Sequence, residues 1–291
     1  MMKVALIGAG GKMGCRLAAN LLKTAYELAC VEVSEQGTVR LAEIGLAPVS
    51  LDSALDGAGA VILAVPDTVI GRVAGDIVPR LQPDTLLLVL DPAAAFLGQL
   101  PERGDVAYMA AHPCHPPLFS DETSPEARRD FFGGVAAKQS VVCALIQGDE
   151  AHYRTGKQLV EAIYAPVARI HRITLEQMAM MEPTMAETIG ATVAVLAREA
   201  MDEAVRRGVP EAAARDFMLG HMNILLAVAF GEAKNPLSDA CQIAVEYGKQ
   251  HLIRDNWRSL FEPESVREQI QMMLNLDEWA LHKAKDKEVR P

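Results

Sequence analysis

Several features that would assign whole classes of function are absent from this sequence. Its cysteines number five, none of them in a C-x-x-C pair, and they are Cys15, Cys30, Cys114, Cys143 and Cys241. An odd set of widely spaced cysteines argues against a disulfide framework and favours a reducing, cytoplasmic location. No uninterrupted apolar run reaches the roughly 18 residues of a membrane-spanning helix, so no membrane association is predicted.

Positively charged residues are fewer than negatively charged ones, 28 against 38. The formal net charge is −10, and lysine and arginine form no cluster, which argues against nucleic acid and anionic membrane surfaces as partners. The terminal run KAKDKEVR carries both signs and is predicted to be a solvated tail.

The length and the composition of the chain fit two packed domains. It is 291 residues long and 50% hydrophobic, and a domain usually takes about 100–200 residues. Up to residue 173, short apolar runs alternate with helical patterns, which is typical of an α/β fold with a parallel sheet covered on both faces. From residue 174 to residue 291 the strand pattern stops, and an all-helical second domain is predicted. A polar stretch, Pro116–Gly134, interrupts the first domain and is interpreted as a lid or a surface excursion.

A glycine-rich turn follows the first predicted strand and opens a helix, the context of a dinucleotide-binding (Rossmann) fingerprint. Its glycines let backbone N–H groups and a helix N-terminus approach a pyrophosphate. Glu32 ends the second strand, 18 residues after the last glycine, where a carboxylate accepts ribose hydroxyls and repels a 2′-phosphate. The next residues include no Arg or Lys, so NAD is favoured over NADP. The predicted turn consists of Gly8, Ala9, Gly10, Gly11, Lys12, Met13 and Gly14.

These segments carry a resemblance to a known group of enzymes. With IGAGGKMGCRLAANLL, AVILAVPDTVI and VAYMAAHPCHPP, the chain resembles the 6-phosphogluconate dehydrogenase-like superfamily. The doubled His-Pro of HPCHPP, together with MEPTMAETIG, is most similar to the D-apionate oxidoisomerase family.

The resemblance implies a Rossmann domain, a helical C-terminal domain and a homodimer built on the helices. It implies NAD-dependent oxidation of a small sugar acid such as D-apionate, coupled to a ketol isomerisation, and it adds Val65, Pro66 and Asp67 to the cofactor-binding residues. One branch of the superfamily is disfavoured, because the catalytic Lys-x-x-Asn of β-hydroxyacid dehydrogenases has no counterpart between Lys157 and Lys234.

Five side chains are candidates for the chemistry. His112 ends a predicted strand, where ligands of open α/β sheets bind, and a neutral imidazole there could take the substrate's hydroxyl proton. His115, three residues on, and Glu187 on the long helix could share a divalent metal that polarises a ketol. Glu182, before the helix-interrupting Pro183, and His221, within an otherwise apolar helix, could contact the substrate. The competing interpretations for these residues are a strand-capping histidine, solvated carboxylates and a satisfied core histidine.

Two other functions remain open at this point. One is a plain β-hydroxyacid or prephenate-type dehydrogenase, in line with the single His112-Pro113 match. The other is a non-catalytic nucleotide-sensing module, which the missing Lys-x-x-Asn would suit.

The position of Glu32 generates a prediction about cofactor choice. NAD should bind at least about tenfold more tightly than NADP, a difference of roughly 1.4 kcal/mol, because the carboxylate repels a 2′-phosphate. Changing Glu32→Ser together with Val33→Arg should narrow the preference. Equal dissociation constants for the two cofactors in a titration of the unaltered protein would contradict the assignment.

Overall fold

The computed structural model describes residues 1–275, and the predicted solvated tail lies outside them. The chain forms two compact units. The first unit holds Met1–Ala179 with the C-terminal segment that begins at Ile270, and the second unit holds Met180–Gln269. The domain boundary predicted from the sequence, between residues 173 and 174, stays a prediction.

The first unit is built on one seven-stranded sheet with the order β2-β1-β3-β4-β5-β6-β7. The strands are β1 (Lys3–Ile7), β2 (Glu27–Val31), β3 (Ala58–Leu63), β4 (Leu86–Val89), β5 (Ala107–Pro113), β6 (Gln139–Gln147) and β7 (Val167–Arg172). Strands β1 to β5 are parallel, as the pattern predicts. β6 departs from that expectation and pairs antiparallel with β5. No crossover helix joins these two strands, so the chain returns directly beside β5 and reverses the direction of the sheet.

Both faces of the sheet are buried, which the apolar strands require. On β1, Leu6 packs in the same core cluster as Leu17 and Leu21 of the first helix, while its neighbour Ala5, whose side chain points to the opposite face, is equally inaccessible. The helices of this unit are α1 (Lys12–Leu21), α2 (Glu35–Glu43), α3 (Leu51–Leu55), α4 (Asp67–Ile77), α5 (Ala93–Phe96), α6 (Glu150–Ile163) and α7 (Leu175–Ala179). The N-terminal Rossmann sheet expected from the sequence is therefore present.

The second unit contains helices and, among the residues described, no strand. It consists of a π-helical segment (Met180–Ala191), α8 (Thr192–Arg206), α9 (Glu211–Ala229), α10 (Asp239–Leu252) and the start of α11 (Pro263–Leu274). A capping box opens α7, in which the Gln177 side chain accepts the Thr174 N–H at 3.0 Å and the Thr174 hydroxyl accepts the Gln177 N–H at 3.2 Å.

The long helix predicted to carry Glu187 is not regular. Pro183 has no N–H to donate, and the backbone from Met180 to Ala191 adopts wider π-helical turns around it. On an α-helix Glu182 and Glu187 would lie about 140° apart. A π-helix instead bonds residue i to i+5, which places these two positions one turn apart on nearly the same face.

Along the described chain, no helix combines the length and the apolar character that crossing a membrane requires.

Candidate active site

The carboxyl edge of the sheet gathers most of the residues singled out from the sequence. Parallel strands end at a common edge, so the residues after β1, β2, β3 and β5 meet there. The glycine turn follows β1, Glu32 follows β2 and Val65–Asp67 follow β3, with Asp67 opening α4. His112 lies at the end of β5. At a strand spacing of about 4.8 Å, the four steps from β2 to β5 span roughly 19 Å, the scale of an extended dinucleotide.

The turn between β1 and α1 leaves no room for side chains. Gly8 has a φ of +79°, in the left-handed region that favours glycine. A Cβ on Gly14 would overlap the carbonyl oxygens of Gly8 and Ala9, and one on Gly10 would overlap the backbone of Gly37. The close packing sets the start of α1 directly against the end of β1.

The N-terminus of α1 is suited to an anion. Its N-cap residue, Gly11, provides no side-chain hydrogen bond. The first N–H groups of the helix, from Lys12 onward, have no acceptor within an α-helix, and the positive end of the helix dipole lies with them. A dinucleotide pyrophosphate fits this arrangement.

Glu32 is held in place by the turn it follows. Its Oε2 accepts from the Gly10 N–H at 2.8 Å, and its Oε1 accepts from the N–H groups of Val33 and Ser34 and from the Ser34 hydroxyl at 2.8–2.9 Å. Burial works to raise the pKa of this carboxyl, but the hydrogen bonds from Ser34, Gly10 and Val33 outweigh it and lower the pKa below its ordinary value. The group is therefore an anion at neutral pH, and Oε2 keeps a lone pair for a ribose hydroxyl.

His112 is fixed in one tautomer. Its Nδ1 lies 2.9 Å from the Leu90 carbonyl oxygen. A carbonyl only accepts hydrogen bonds, so Nδ1 carries the hydrogen and Nε2 keeps its lone pair. Burial lowers the pKa of His112, and the hydrogen bond to Leu90 and the negative charge of Asp91 offset only part of the effect. The imidazole is neutral at physiological pH, which is the state a general base needs.

Asp91, at the end of β4, was not singled out from the sequence. It is buried, and its Oδ1 accepts the Ala93 N–H at 2.7 Å. One of its carboxylate oxygens and a ring nitrogen of His112 lie within 4.8 Å of each other, close enough to share a divalent ion. The signal in the sequence was the Asp-Pro that ends TLLLVLDP, a strand-terminal carboxylate next in the sheet to His112.

His115 lies on the turn after β5. Its ring centroid is 6.2 Å from that of His112, with the rings nearly perpendicular, so the structure brings the two predicted histidines together. The other candidates belong to the second unit. Glu182 is partly buried and Glu187 exposed in the π-helical segment, and His221 stacks on Phe217 on an exposed face of α9. Their catalytic roles, and the shared metal of His115 and Glu187, stay predictions.

Comparison with known proteins gives matches along nearly the whole chain. Residues 3–91 match the NAD binding domain of 6-phosphogluconate dehydrogenase, and residues 120–274 match the C-terminal domain of decarboxylating phosphogluconate dehydrogenase. A D-apionate oxidoisomerase of Cupriavidus necator is 56% identical over 269 residues, covering 92% of this chain and 98% of that protein.

Solved structures agree with these matches. The crystal structure of a protein from Cupriavidus necator, described as a semialdehyde dehydrogenase NAD-binding protein in complex with calcium and NAD, has a TM-score of 0.92 at 56% identity, over 94% of this chain and 99% of that one. An NADH-preferring ketol-acid reductoisomerase from an uncultured archaeon shares the fold, with a TM-score of 0.64 at 17% identity over 100% of this chain and 91% of its own.

The packing at Gly14 generates a prediction about nucleotide binding. Gly14→Ala should raise the dissociation constant of NAD by at least about tenfold, because the new Cβ must displace the turn that meets the pyrophosphate. Gly75→Ala is the matched control, since a Cβ there meets nothing within 4 Å and alanine suits the interior of α4. Both variants can be titrated with NADH by fluorescence. Unchanged affinity in Gly14→Ala would show that the dinucleotide binds elsewhere.

Proposed function

The chain belongs to the D-apionate oxidoisomerase family, and on that basis we propose that it oxidises D-apionate with NAD and isomerises the product by a ketol rearrangement. The observation that supports this most is the placement of a neutral, tautomer-fixed histidine on the same sheet edge as the dinucleotide turn. A nucleotide-sensing module needs the turn but has no use for such a base. The missing Lys-x-x-Asn likewise disfavours a plain β-hydroxyacid dehydrogenase.

In the oxidation, Nε2 of His112 accepts the proton of the substrate hydroxyl. NAD, when bound, accepts the hydride from the same carbon, which leaves a ketone and an imidazolium. The hydrogen bond from Nδ1 to Leu90 and the carboxylate of Asp91 both stabilise that imidazolium. Burial at this point keeps the free imidazole neutral until the substrate supplies the proton.

In the isomerisation, a hydroxyl beside the new ketone loses its proton and becomes a carbonyl, while one substituent migrates to the old carbonyl carbon, which becomes an alcohol. Atoms and electrons balance within the substrate, because the proton that leaves this hydroxyl is matched by the one that the new alkoxide gains. The proton that His112 took in the oxidation is released to solvent, which restores the neutral imidazole, and we assign His115 to bind a substrate oxygen beside it. Glu182, Glu187 and His221 remain proposed substrate contacts from the second unit.

A divalent metal would supply a Lewis acid for the rearrangement. Within the first unit, Asp91 and His112 provide one oxygen and one nitrogen ligand at suitable separation. This donor set suits a transition metal better than Ca²⁺, which prefers oxygen ligands throughout. Nε2 of His112 cannot bind a metal and accept a proton at the same time, so the two roles are alternatives, and the pair His115 and Glu187 is the other proposed metal site.

The role of His112 as the base predicts the effect of removing its ring. His112→Ala should lower kcat by about 10²–10⁴, the usual loss for a general base, with little change in NAD affinity. In the unaltered enzyme, kcat/KM should fall on the acid side only below pH 6.5, because the pKa of His112 is lowered from that ordinary value and the base stays neutral until the pH falls below it.

His251→Ala is the matched control, because His251 also donates from Nδ1 to a carbonyl, that of Tyr247, but on the exposed α10. Normal turnover in His112→Ala would exclude His112 as the base. Loss of activity with a chelator, restored by a divalent ion, would show that a metal takes part, and loss of divalent-ion binding in His112→Ala would then assign Nε2 to that metal instead.

We also propose that the enzyme is a cytoplasmic homodimer assembled through the second unit. Helix α9 is strongly apolar, yet Ala214 is its only buried residue among those described. Phe217 and Phe230 are 68% and 75% exposed, and apolar patches of this kind mark association surfaces. A second copy presents the same apolar face, so two copies can pair through it about a two-fold axis.

Association is tested by light scattering at micromolar concentration, where the unaltered protein should have the mass of a dimer. Ile224→Glu on α9, at a position 50% exposed, should shift it towards monomer, because a charge would be buried in the interface. Phe131→Glu, on an exposed position of the first unit, should not. A monomer in the unaltered protein would refute the assembly.

A further inference from the structure

The loop between β5 and β6, residues 114–138, has a defined conformation near its end. Oδ2 of Asp130 accepts the N–H groups of Val135, Ala136 and Ala137 at 2.9–3.1 Å. Burial works to raise the pKa of Asp130, but these hydrogen bonds outweigh it, with help from the charge of Arg16, and the pKa is lowered. The carboxylate is therefore charged and closes the loop on itself at neutral pH.

Helix α1 anchors this closed loop. The buried amide of Asn20 donates to the carbonyl oxygen of Gly134 at 3.1 Å. One turn earlier on the same helix, the guanidinium carbon of Arg16 lies 4.9 Å from the centroid of the Phe132 ring. Arg16 comes two residues after Gly14, so the helix that opens at the dinucleotide turn also holds the loop.

Phe132 in turn holds His115 by two independent contacts. Its carbonyl oxygen lies 3.0 Å from Nδ1 of His115, which puts the hydrogen on Nδ1 and leaves the Nε2 lone pair available. Its ring meets the His115 ring edge-on at 6.0 Å and 86°, within the range of favourable aromatic pairs.

The backbone of His115 needs such support. Its φ is +58°, a left-handed conformation that non-glycine residues seldom adopt and that costs energy unless surrounding contacts fix it. In this conformation the imidazole stands beside that of His112. Relaxation of the turn would carry His115 away from the base.

We propose that Phe132 is a positioning residue for the oxidation: clamped by Arg16 of the cofactor-binding helix, it fixes the tautomer and the place of His115, so that Nε2 can bind a substrate oxygen next to His112. The inference rests on the proposed function, in which His115 binds the substrate. It gives the β5–β6 loop the role of positioning His115, which neither the dinucleotide turn nor His112 fulfils.

The test compares Phe132→Leu with Phe131→Leu. Phe131 is 75% exposed and, within the described chain, has no aromatic or cationic ring contact. Phe132→Leu should lower kcat/KM for D-apionate by roughly tenfold, the scale of one lost aromatic contact, and leave the dissociation constant of NAD unchanged. Phe132→Tyr should restore the rate, and Phe131→Leu should keep it. Arg16→Met, which removes the cation from the Phe132 ring and leaves the three N–H groups that donate to Asp130 in place, should lower kcat/KM in the same direction.

A double-mutant cycle separates positioning from general damage. If Phe132 acts through His115, adding Phe132→Leu to His115→Ala should cause no further loss of kcat/KM. An equal further loss in that background would overturn the proposal.

A readout that needs no substrate keeps the inference distinct from the proposed function. The ¹⁵N signals of the His115 ring, assigned by their loss in His115→Ala, should show the Nδ1–H tautomer in the unaltered protein. Phe132→Leu should show a tautomer mixture, because the backbone carbonyl of residue 132 remains but loses the ring contacts with Arg16 and His115 that hold it against Nδ1. Unchanged signals would overturn the positioning role whatever the activity. If D-apionate is not turned over at all, the proposed function fails while a change of tautomer in Phe132→Leu still supports the positioning. Full activity in His115→Ala would leave the proposed reaction standing and would overturn the role in substrate binding for which Phe132 positions His115.

Discussion

The absence of a side chain at Gly14 is the constraint on which the rest of the first unit depends. Because the backbone of α1 can touch the carbonyl oxygens of Gly8 and Ala9, the helix starts directly above the end of β1. From that start, Leu17 enters the core while Asn20 reaches the carbonyl oxygens of Ile163 and Ala165 beside β7 as well as the β5–β6 loop. A displacement of α1 would therefore alter the dinucleotide turn, the loop and the far side of the sheet together.

The sequence predicts the first unit well because its signals are local. Five apolar runs, the glycine turn and Glu32 follow one another in the order that a Rossmann domain requires, and the structure places them at one sheet edge. The antiparallel direction of β6 has no such local signal in the sequence. Apolar residues suit buried parallel and antiparallel strands alike, and only the lack of a helix before Ser140 could have indicated it. The π-helical segment was missed for a similar reason, since Pro183 predicts an irregularity but not its form.

The candidate site is predicted only in part, because its chemistry depends on contacts between distant segments. His112 and His115 stand out by their position after β5, and the structure confirms that they are neighbours. Asp91 was missed because a single Asp before Pro reads as an ordinary turn. Phe132 was missed because one aromatic residue in a polar loop gives no periodic pattern, and its two contacts with His115 join positions 17 residues apart in the sequence. The roles of Glu182, Glu187 and His221 rest on their positions in the sequence and stay predictions.

The antiparallel pairing of β6 with β5 has a further consequence for how such an enzyme can diversify. Neighbouring antiparallel strands can be joined by a two-residue hairpin, so most of the 25 residues from 114 to 138 are not needed to connect the sheet. The entropy cost of a longer loop grows only with the logarithm of its length, about 0.6 kcal/mol for each doubling. Insertions and deletions in this loop are thus inexpensive for the fold, yet they fall beside His112. Changes in this loop during evolution can therefore alter the substrate side of the enzyme while the residues that bind the nucleotide stay in place.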